Sequence, residues 1–334
     1  LAFSVIYSPT FLEHRPSGYH PENPERLLKA VEGLKNAGLW ENVLEPEPVP
    51  EEELLKVHSK EYVELVKNSS SGFKYIDPDT YVSPGTWHAA LRAFGAARKA
   101  VELALEEKGL YLALVRPPGH HAGKSGRAFS APTLGFCIFN NAAYAAKVAE
   151  ERTGRILVID FDAHHGNGTQ EILWKDPKAV HIDLHERDIY PGSGYEHEIG
   201  GKGAEGTKVN LPMPHYATDD DYIFAWNEVV LPVIGEFKPK LIVISAGFDG
   251  FHGENLTTLR LSELFFEHAG ATLSDYPLAV IFEGGYSMGL ERGLPAFAKG
   301  YLSGKAGELT VRPSYEALKV VERVREIHGE WWEL

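Results

Sequence analysis

The sequence predicts an α/β fold, a parallel sheet with helices on both faces. Short, continuous apolar runs rich in branched residues, such as ILVI at 156–159, are what strands buried on both faces look like, and parallel sheets produce such strands. Segments with helical apolar spacing alternate with these runs, which implies crossover connections. A third pattern concerns chemistry: four of the apolar runs lead straight into clusters of His, Asp, Glu or Tyr set among glycines.

In chain order, the expected elements begin with a strand at 3–7 (FSVIY) and a helix at 24–37, followed by helices at 60–67 and 86–106. A strand at 111–115 (YLALV) runs into RPPGHH, and a helix at 140–151 leads to the strand at 156–159, which runs into DFDAHHGNGTQ. Strands follow at 179–184 and 208–211, then a helix at 219–237. The strand at 241–245 runs into AGFDG, a helix covers 260–273, the strand at 278–282 runs into EGGY, and a helix at 315–328 completes the pattern. No repeat, low-complexity tract or linker divides the chain, so residues 1–334 are expected to form a single domain.

Composition narrows the function. Apolar residues make up 43% and charged residues 24%, ordinary values for a soluble globular protein, and no apolar run is long enough to span a membrane. No secretory n-region and h-region precede residues 3–7, so a cytoplasmic location is expected. The net charge of −14 argues against a nucleic-acid partner, whose binding depends on neutralising phosphates, and favours cationic partners. Cys137 is the only cysteine, which excludes an internal disulfide and a thiolate-rich zinc site; its apolar neighbours suit an inert buried thiol. One Cys, two Met and the single Gln170 match the depletion of thermolabile residues in heat-adapted proteins.

In open α/β sheets the ligand crevice lies beyond the carboxyl ends of the strands, so the four polar clusters should converge on one site. Asp162 and His164 flank a single residue, and an extended segment turns both side chains the same way, toward one ion. Asp249 can supply a third ligand. This nitrogen and oxygen set suits a catalytic zinc with one open position, and Fe2+ or Co2+ fits the same donors. The plainer reading makes Asp162 the N-cap of a helix at 166–173 and His164 a satisfied core histidine. His120 and His121 follow a Pro-Pro-Gly turn, and Asp160 and Asn167 are available to fix their tautomers, which would complete an acid–base unit. Tyr286, after Gly284 and Gly285, can donate a hydrogen bond to a carbonyl oxygen as charge develops on it, or it can simply pack.

Taken together, HPENPERL (20–27), RPPGHHA (116–122), GFC (135–137), DFDAHHGNGTQ (160–170), PGSG (191–194), GFDGFHGE (247–254) and EGGY (283–286) resemble the zinc-dependent histone deacetylase family, in particular its class II-like and prokaryotic branches. The resemblance runs from about residue 4 to about 304 in an ordered series of segments. It implies an arginase-like fold with a central parallel sheet of about eight strands. It also implies that Asp162, His164 and Asp249 hold zinc, that His120 and His121 form the acid–base pair oriented by Asp160 and Asn167, and that Tyr286 is the electrophilic tyrosine. Potassium near the zinc is implied through Asp160 and backbone carbonyls of the 162–164 segment, with Asp183 and Leu184 matching further positions of that site. Phe136 and Tyr190 resemble the aromatic walls of an acyl-lysine channel, and Asp79 resembles a rim residue that holds the substrate backbone.

Three positions depart from parts of the family. Asn167 stands where class I members have aspartate. Residues 122–134 form a longer segment than class II relatives have, expected to narrow the rim or to meet another copy of the chain in a homo-oligomer. Leu256 is apolar where some polyamine deacetylases have a gatekeeping glutamate. The expected activity is therefore removal of acetyl groups from the ε-amine of lysine in proteins or peptides, with acetylated polyamines as the alternative substrate. A binuclear manganese ureohydrolase and a catalytically silent acetyl-ligand binder are more distant readings. The former needs extra carboxylate ligands, and Gly166 and Phe251 occupy the positions two residues beyond His164 and Asp249.

Overall fold

A computed structural model describes residues 1–307 and 309–334. Its strands are β1 (Ala2–Ile6), β2 (Val43–Leu44), β3 (Lys74–Asp77), β4 (Thr80–Val82), β5 (Gly109–Ala113), β6 (Ala122–Gly123), β7 (Gly126–Arg127), β8 (Ile156–Asp160), β9 (Ala179–Glu186), β10 (Lys208–Met213), β11 (Ile242–Ala246) and β12 (Leu278–Phe282). The helices are α1 (Pro24–Asn36), α2 (Lys60–Ser69), α3 (Thr86–Glu106), α4 (Asn141–Thr153), α5 (Asn167–Ile172), α6 (Asp219–Ala225), α7 (Leu231–Phe237), α8 (Glu263–Thr272), α9 (Leu294–Ser303) and α10 (Tyr315–His328).

Eight strands form one sheet in the order β10-β9-β8-β11-β12-β5-β1-β2. All its pairings are parallel. Every residue of β5, β8, β11 and β12 is buried, as continuous apolar strands sandwiched between helices must be. Helix α3 packs on β5 and β12, α4 on β8 and β11, and α10 on β10. The α/β sheet flanked by helices is therefore as the sequence predicts, down to the number of strands.

The strand order positions the site. From β8 the chain winds outward through β9 and β10, then returns to lay β11 and β12 on the other side of β8. Adjacent strands β8 and β11 thus send their connections in opposite directions. Loops leaving such a pair part from each other, and a crevice opens between them.

Several elements differ from expectation. β2, at two residues, is too short to show a pattern, and the antiparallel hairpin β3–β4 was not expected either. The helix expected at 219–237 is two α-helical pieces joined by a π-helical turn at Trp226–Val230. Pro232 explains the break: it has no N–H for the preceding turn and would crowd the carbonyl there, and a widened turn accommodates both. The helix expected at 260–273 begins only at Glu263, capped by Ser262. Arg260 and Leu261 instead form parallel bridges to Thr218 and Phe251. Helix α9, entered through a second π-helical turn at Gly289–Gly293, was missed because its pattern is apolar nearly all round. The long 122–134 segment opens with the β6–β7 ladder and returns to the cavity rim.

Candidate active site

Asp160 is the last residue of β8, and beyond it the chain folds its own amides onto its carboxylates. The Asp162 N–H donates to Asp160 Oδ1 (2.9 Å) and the His164 N–H to Asp162 Oδ1 (2.9 Å). Neighbouring loops orient the other faces: the Gly284 N–H donates to Asp162 Oδ2 (2.8 Å) and the Ala163 N–H to Asp249 Oδ1 (2.9 Å). His164 Nδ1 then lies 2.8 Å from Asp249 Oδ2 and 3.3 Å from Asp162 Oδ1. One donor atom from each of the three residues falls within 4.8 Å of the others. The N-cap of α5 is Gly166, so Asp162 is not a helix cap.

The electrostatics of this trio favour a cation. Desolvation opposes charge on His164, yet the Asp162 and Asp249 carboxylates outweigh it and draw the imidazole up to about 10. Asp249 is raised by burial and by the neighbouring Asp162 charge. Two buried carboxylates and one imidazole nitrogen gathered this closely are donors that could hold a divalent ion.

Beside this trio sit two imidazoles, His120 and His121, with ring centroids 4.0 Å apart and planes tilted by 43°. His120 Nδ1 is 2.9 Å from Asp160 Oδ2, and His121 Nδ1 is 2.8 Å from Asn167 Oδ1. Because each Nδ1 donates to an oxygen, each Nε2 is left for chemistry. Burial works against charge on both rings. At His120 the Asp160, Asp162 and Glu283 carboxylates overcome it and raise the pKa well above the usual histidine range. At His121 burial is reinforced by His120 and His164, and the ring is held well below that range.

A cavity of about 240 Å3 reaches these groups, lined by Asp79, His121, Gly135, Phe136, His164, Tyr190, Leu256 and Tyr286. Phe136 and Tyr190 form its aromatic walls: the Tyr190 ring stands edge-on to His121 at 4.8 Å, and the Phe136 ring to Tyr286 at 6.4 Å. Gly135 between the walls has φ +53, and a Cβ there would meet Tyr190 and His121 ring atoms at 2.6 and 2.7 Å, so only glycine fits. Burial pushes the Tyr286 phenol well above its ordinary range despite the nearby Arg26, which keeps it an O–H donor.

Asp183 and Leu184 lie in β9 beside β8. Asp160, His181 and Asp183 form a second buried group whose donor atoms lie within 4.8 Å of one another. The Gly166 N–H donates to Asp183 Oδ2 (2.8 Å). A Cβ at Gly166 would fall 2.5 Å from Asp160 Oδ2, so no ligand-bearing side chain can stand two residues beyond His164.

Sequence reasoning missed the groups that hold the Tyr286 loop. Arg26 Nε donates to the Gly285 carbonyl (2.6 Å) and Nη2 to the Glu283 carbonyl (2.5 Å), with the guanidinium 4.6 Å from the Tyr286 ring centroid. Glu254 accepts from the N–H groups of Tyr286 (3.0 Å), Ser287 (2.9 Å) and Gly289 (2.9 Å). Glu283 Oε2 accepts from the Gly119 and His120 N–H groups (2.9 and 3.2 Å), tying the Pro-Pro-Gly turn to the end of β12. The motifs HPENPERL, GFDGFHGE and EGGY contained these residues, but nothing local marks their partners.

Comparison with known proteins gives the chain's family and relatives. The family model for the histone deacetylase domain matches residues 20–300. An uncharacterized protein of Methanocaldococcus jannaschii is 48% identical, covering 99% of this chain and 98% of its own. A probable deacetylase of Archaeoglobus fulgidus is 34% identical, covering 98% of each chain. The crystal structure of the HDA15 HD domain superposes with a TM-score of 0.90 at 33% identity, covering 99% of this chain and 95% of that one.

Proposed function

Because the chain belongs to the histone deacetylase family, and is a deacetylase of that family, we propose that it is a zinc-dependent amidohydrolase that releases acetate from the ε-amine of acetyl-lysine in proteins or peptides. The observation that carries this reading is the meeting, at one narrow aromatic-walled cavity, of a three-donor group that could hold a metal, an oriented imidazole and the Tyr286 phenol.

Asp162, His164 and Asp249 would hold the ion, which when bound would polarise the amide carbonyl and lower the pKa of water beside it. Fe2+ or Co2+ would suit the same ligands. Tyr286 donates a hydrogen bond to the carbonyl oxygen as it becomes negative. His121, which lines the cavity, takes a proton as water adds to the carbonyl carbon and returns one to the departing nitrogen; acetate and a free amine result. His120, held by Asp160, keeps its neighbour placed and electrically poised. The buried Asp160 and Asp183 carboxylates would hold a structural K+, which would offset negative charge there.

Aromatic walls favour the long methylene stem of acetyl-lysine, each buried methylene contributing up to about 0.8 kcal/mol. Acetylpolyamines share that stem, and the net charge of −14 would attract them. Leu256, at the cavity, adds no charge of its own, which favours the lysine substrate. A ureohydrolase would need a second metal site, and the crowding at Gly166 leaves it no ligand there.

The test is to compare kcat/KM for acetyl-lysine peptides, other acyl-lysines and acetylated polyamines, with acetate measured directly. Tyr286→Phe should lower kcat by about 10²–10³-fold with little change in substrate binding. Activity within a few-fold of wild type would reduce Tyr286 to a packing residue. Polyamines that outcompete every peptide by about tenfold, a difference of about 1.4 kcal/mol, would replace the lysine reading.

A further inference from the structure

Hydrogen bonds at the cavity mouth join three segments that are distant in sequence. The turn at 77–80 between β3 and β4 faces residues 133–136, which end the long loop and form one wall. The Leu134 N–H donates to Asp77 Oδ2 (2.6 Å), Thr133 Oγ1 to Asp79 Oδ2 (2.5 Å), and the Phe136 N–H to Thr80 Oγ1 (3.1 Å). From the opposite wall the Tyr190 hydroxyl donates to the Thr133 carbonyl (2.9 Å). Thr133 is thus held on both sides while standing outside the cavity lining.

The clasp is braced from within. Asp77 Oδ1 accepts from the N–H groups of Asp79 and Thr80 (3.1 and 2.9 Å), a side-chain turn that fixes the loop. The Thr80 hydroxyl donates to Asp79 Oδ1 (2.7 Å). Each Asp79 oxygen therefore receives one hydroxyl, and each has one further lone pair to offer. Phe136 needs such bracing, because its φ of +72 is a left-handed conformation that costs a residue with a side chain.

We infer that Thr133 is a positioning residue for substrate selection, acting through Asp79. The inference rests on the acyl-lysine reading of the site. A free carboxylate at a cavity mouth attracts any cation, from any direction. One clamped by two hydroxyl donors presents fixed acceptor directions, which match the amide N–H groups of a peptide flanking the acetylated side chain better than they match a flexible ammonium chain.

Thr133→Val tests this, since it deletes the hydroxyl but keeps the β-branched shape and the carbonyl that Tyr190 uses. KM and kcat would be compared on an acetyl-lysine peptide and on N-acetylpentylamine, which has the same methylene stem and no backbone. The expected result is a KM for the peptide raised about tenfold, with kcat unchanged, both constants for N-acetylpentylamine unchanged, and recovery in Thr133→Ser. Equal losses on both substrates, an unchanged peptide KM, or variants that merely unfold would overturn the inference. Wild type that hydrolyses neither substrate would overturn the functional reading as well.

Discussion

Glu22 is fully buried, with two guanidinium groups on it. Arg116 bonds it through Nε (2.5 Å) and Nη2 (2.8 Å), Arg26 through Nη1 (2.9 Å), and the Tyr81 hydroxyl adds a further donor at 3.0 Å. Burial alone would raise this carboxyl, but the two arginines and His14 hold it well below the usual carboxylate range. A buried ion network gains little over apolar packing, whereas removing one partner strands the others. Glu22→Gln should therefore cost about 3–5 kcal/mol in denaturant unfolding. It should also lower kcat, because Arg26 carries the Gly285 and Glu283 carbonyls beneath Tyr286. A variant as stable and active as wild type would show that the arginines find other partners. Single residues were legible in the sequence where their chemistry is conspicuous, as for Asp162, His164, Asp249 and the His pair. Glu22 and Arg26 lay in plain view in HPENPERL, yet their roles depend on partners as many as 259 positions away, which no local pattern records.

Elements were legible where burial is uniform and lost where tertiary contacts decide. The strands β5, β8, β11 and β12 could be read from composition because both their faces are covered. The hairpin β3–β4 could not, since its worth lies in the turn that carries Asp77 and Asp79 to the cavity mouth. β10 is an edge strand and begins with a buried lysine. Lys208 Nζ donates to the Ala179 carbonyl (2.8 Å) and Thr207 Oγ1 (2.7 Å), and burial drives its pKa down to about 7. Unfolded, the amine titrates near 10.4. Between these values the unfolded chain binds the extra proton, so this residue's contribution to stability should rise from about pH 7 to about pH 10 and level off beyond. Lys208→Met should stabilise the protein at neutral pH and flatten that slope in unfolding curves taken across the range. A slope unchanged by the substitution would mean that the amine is charged in the folded state.

At the scale of the whole molecule, convergence was foreseeable although strand order was not. Polar clusters behind four apolar runs had to meet beyond the sheet, but only the observed order sets β8 beside β11 and so brings Asp162 and His164 to Asp249. The assembly gathers two carboxylates at the sheet's centre, and burial together with their mutual repulsion, felt in the raised pKa of Asp249, favours a cation held between them. An ion that binds the folded chain and not the unfolded one stabilises it by mass action, by about 2.7 kcal/mol when present at one hundred times its Kd. Purified protein should accordingly carry one tightly held divalent ion per chain, and chelation should lower its Tm; zinc should restore it in proportion to concentration. Asp249→Ala removes one charged ligand and one acceptor of the Ala163 N–H, so it should retain less metal, melt lower, and respond little to chelator. Two equivalents of metal in active protein, or a Tm that chelation leaves untouched while Asp249→Ala keeps its full metal content, would sink the three-ligand assignment.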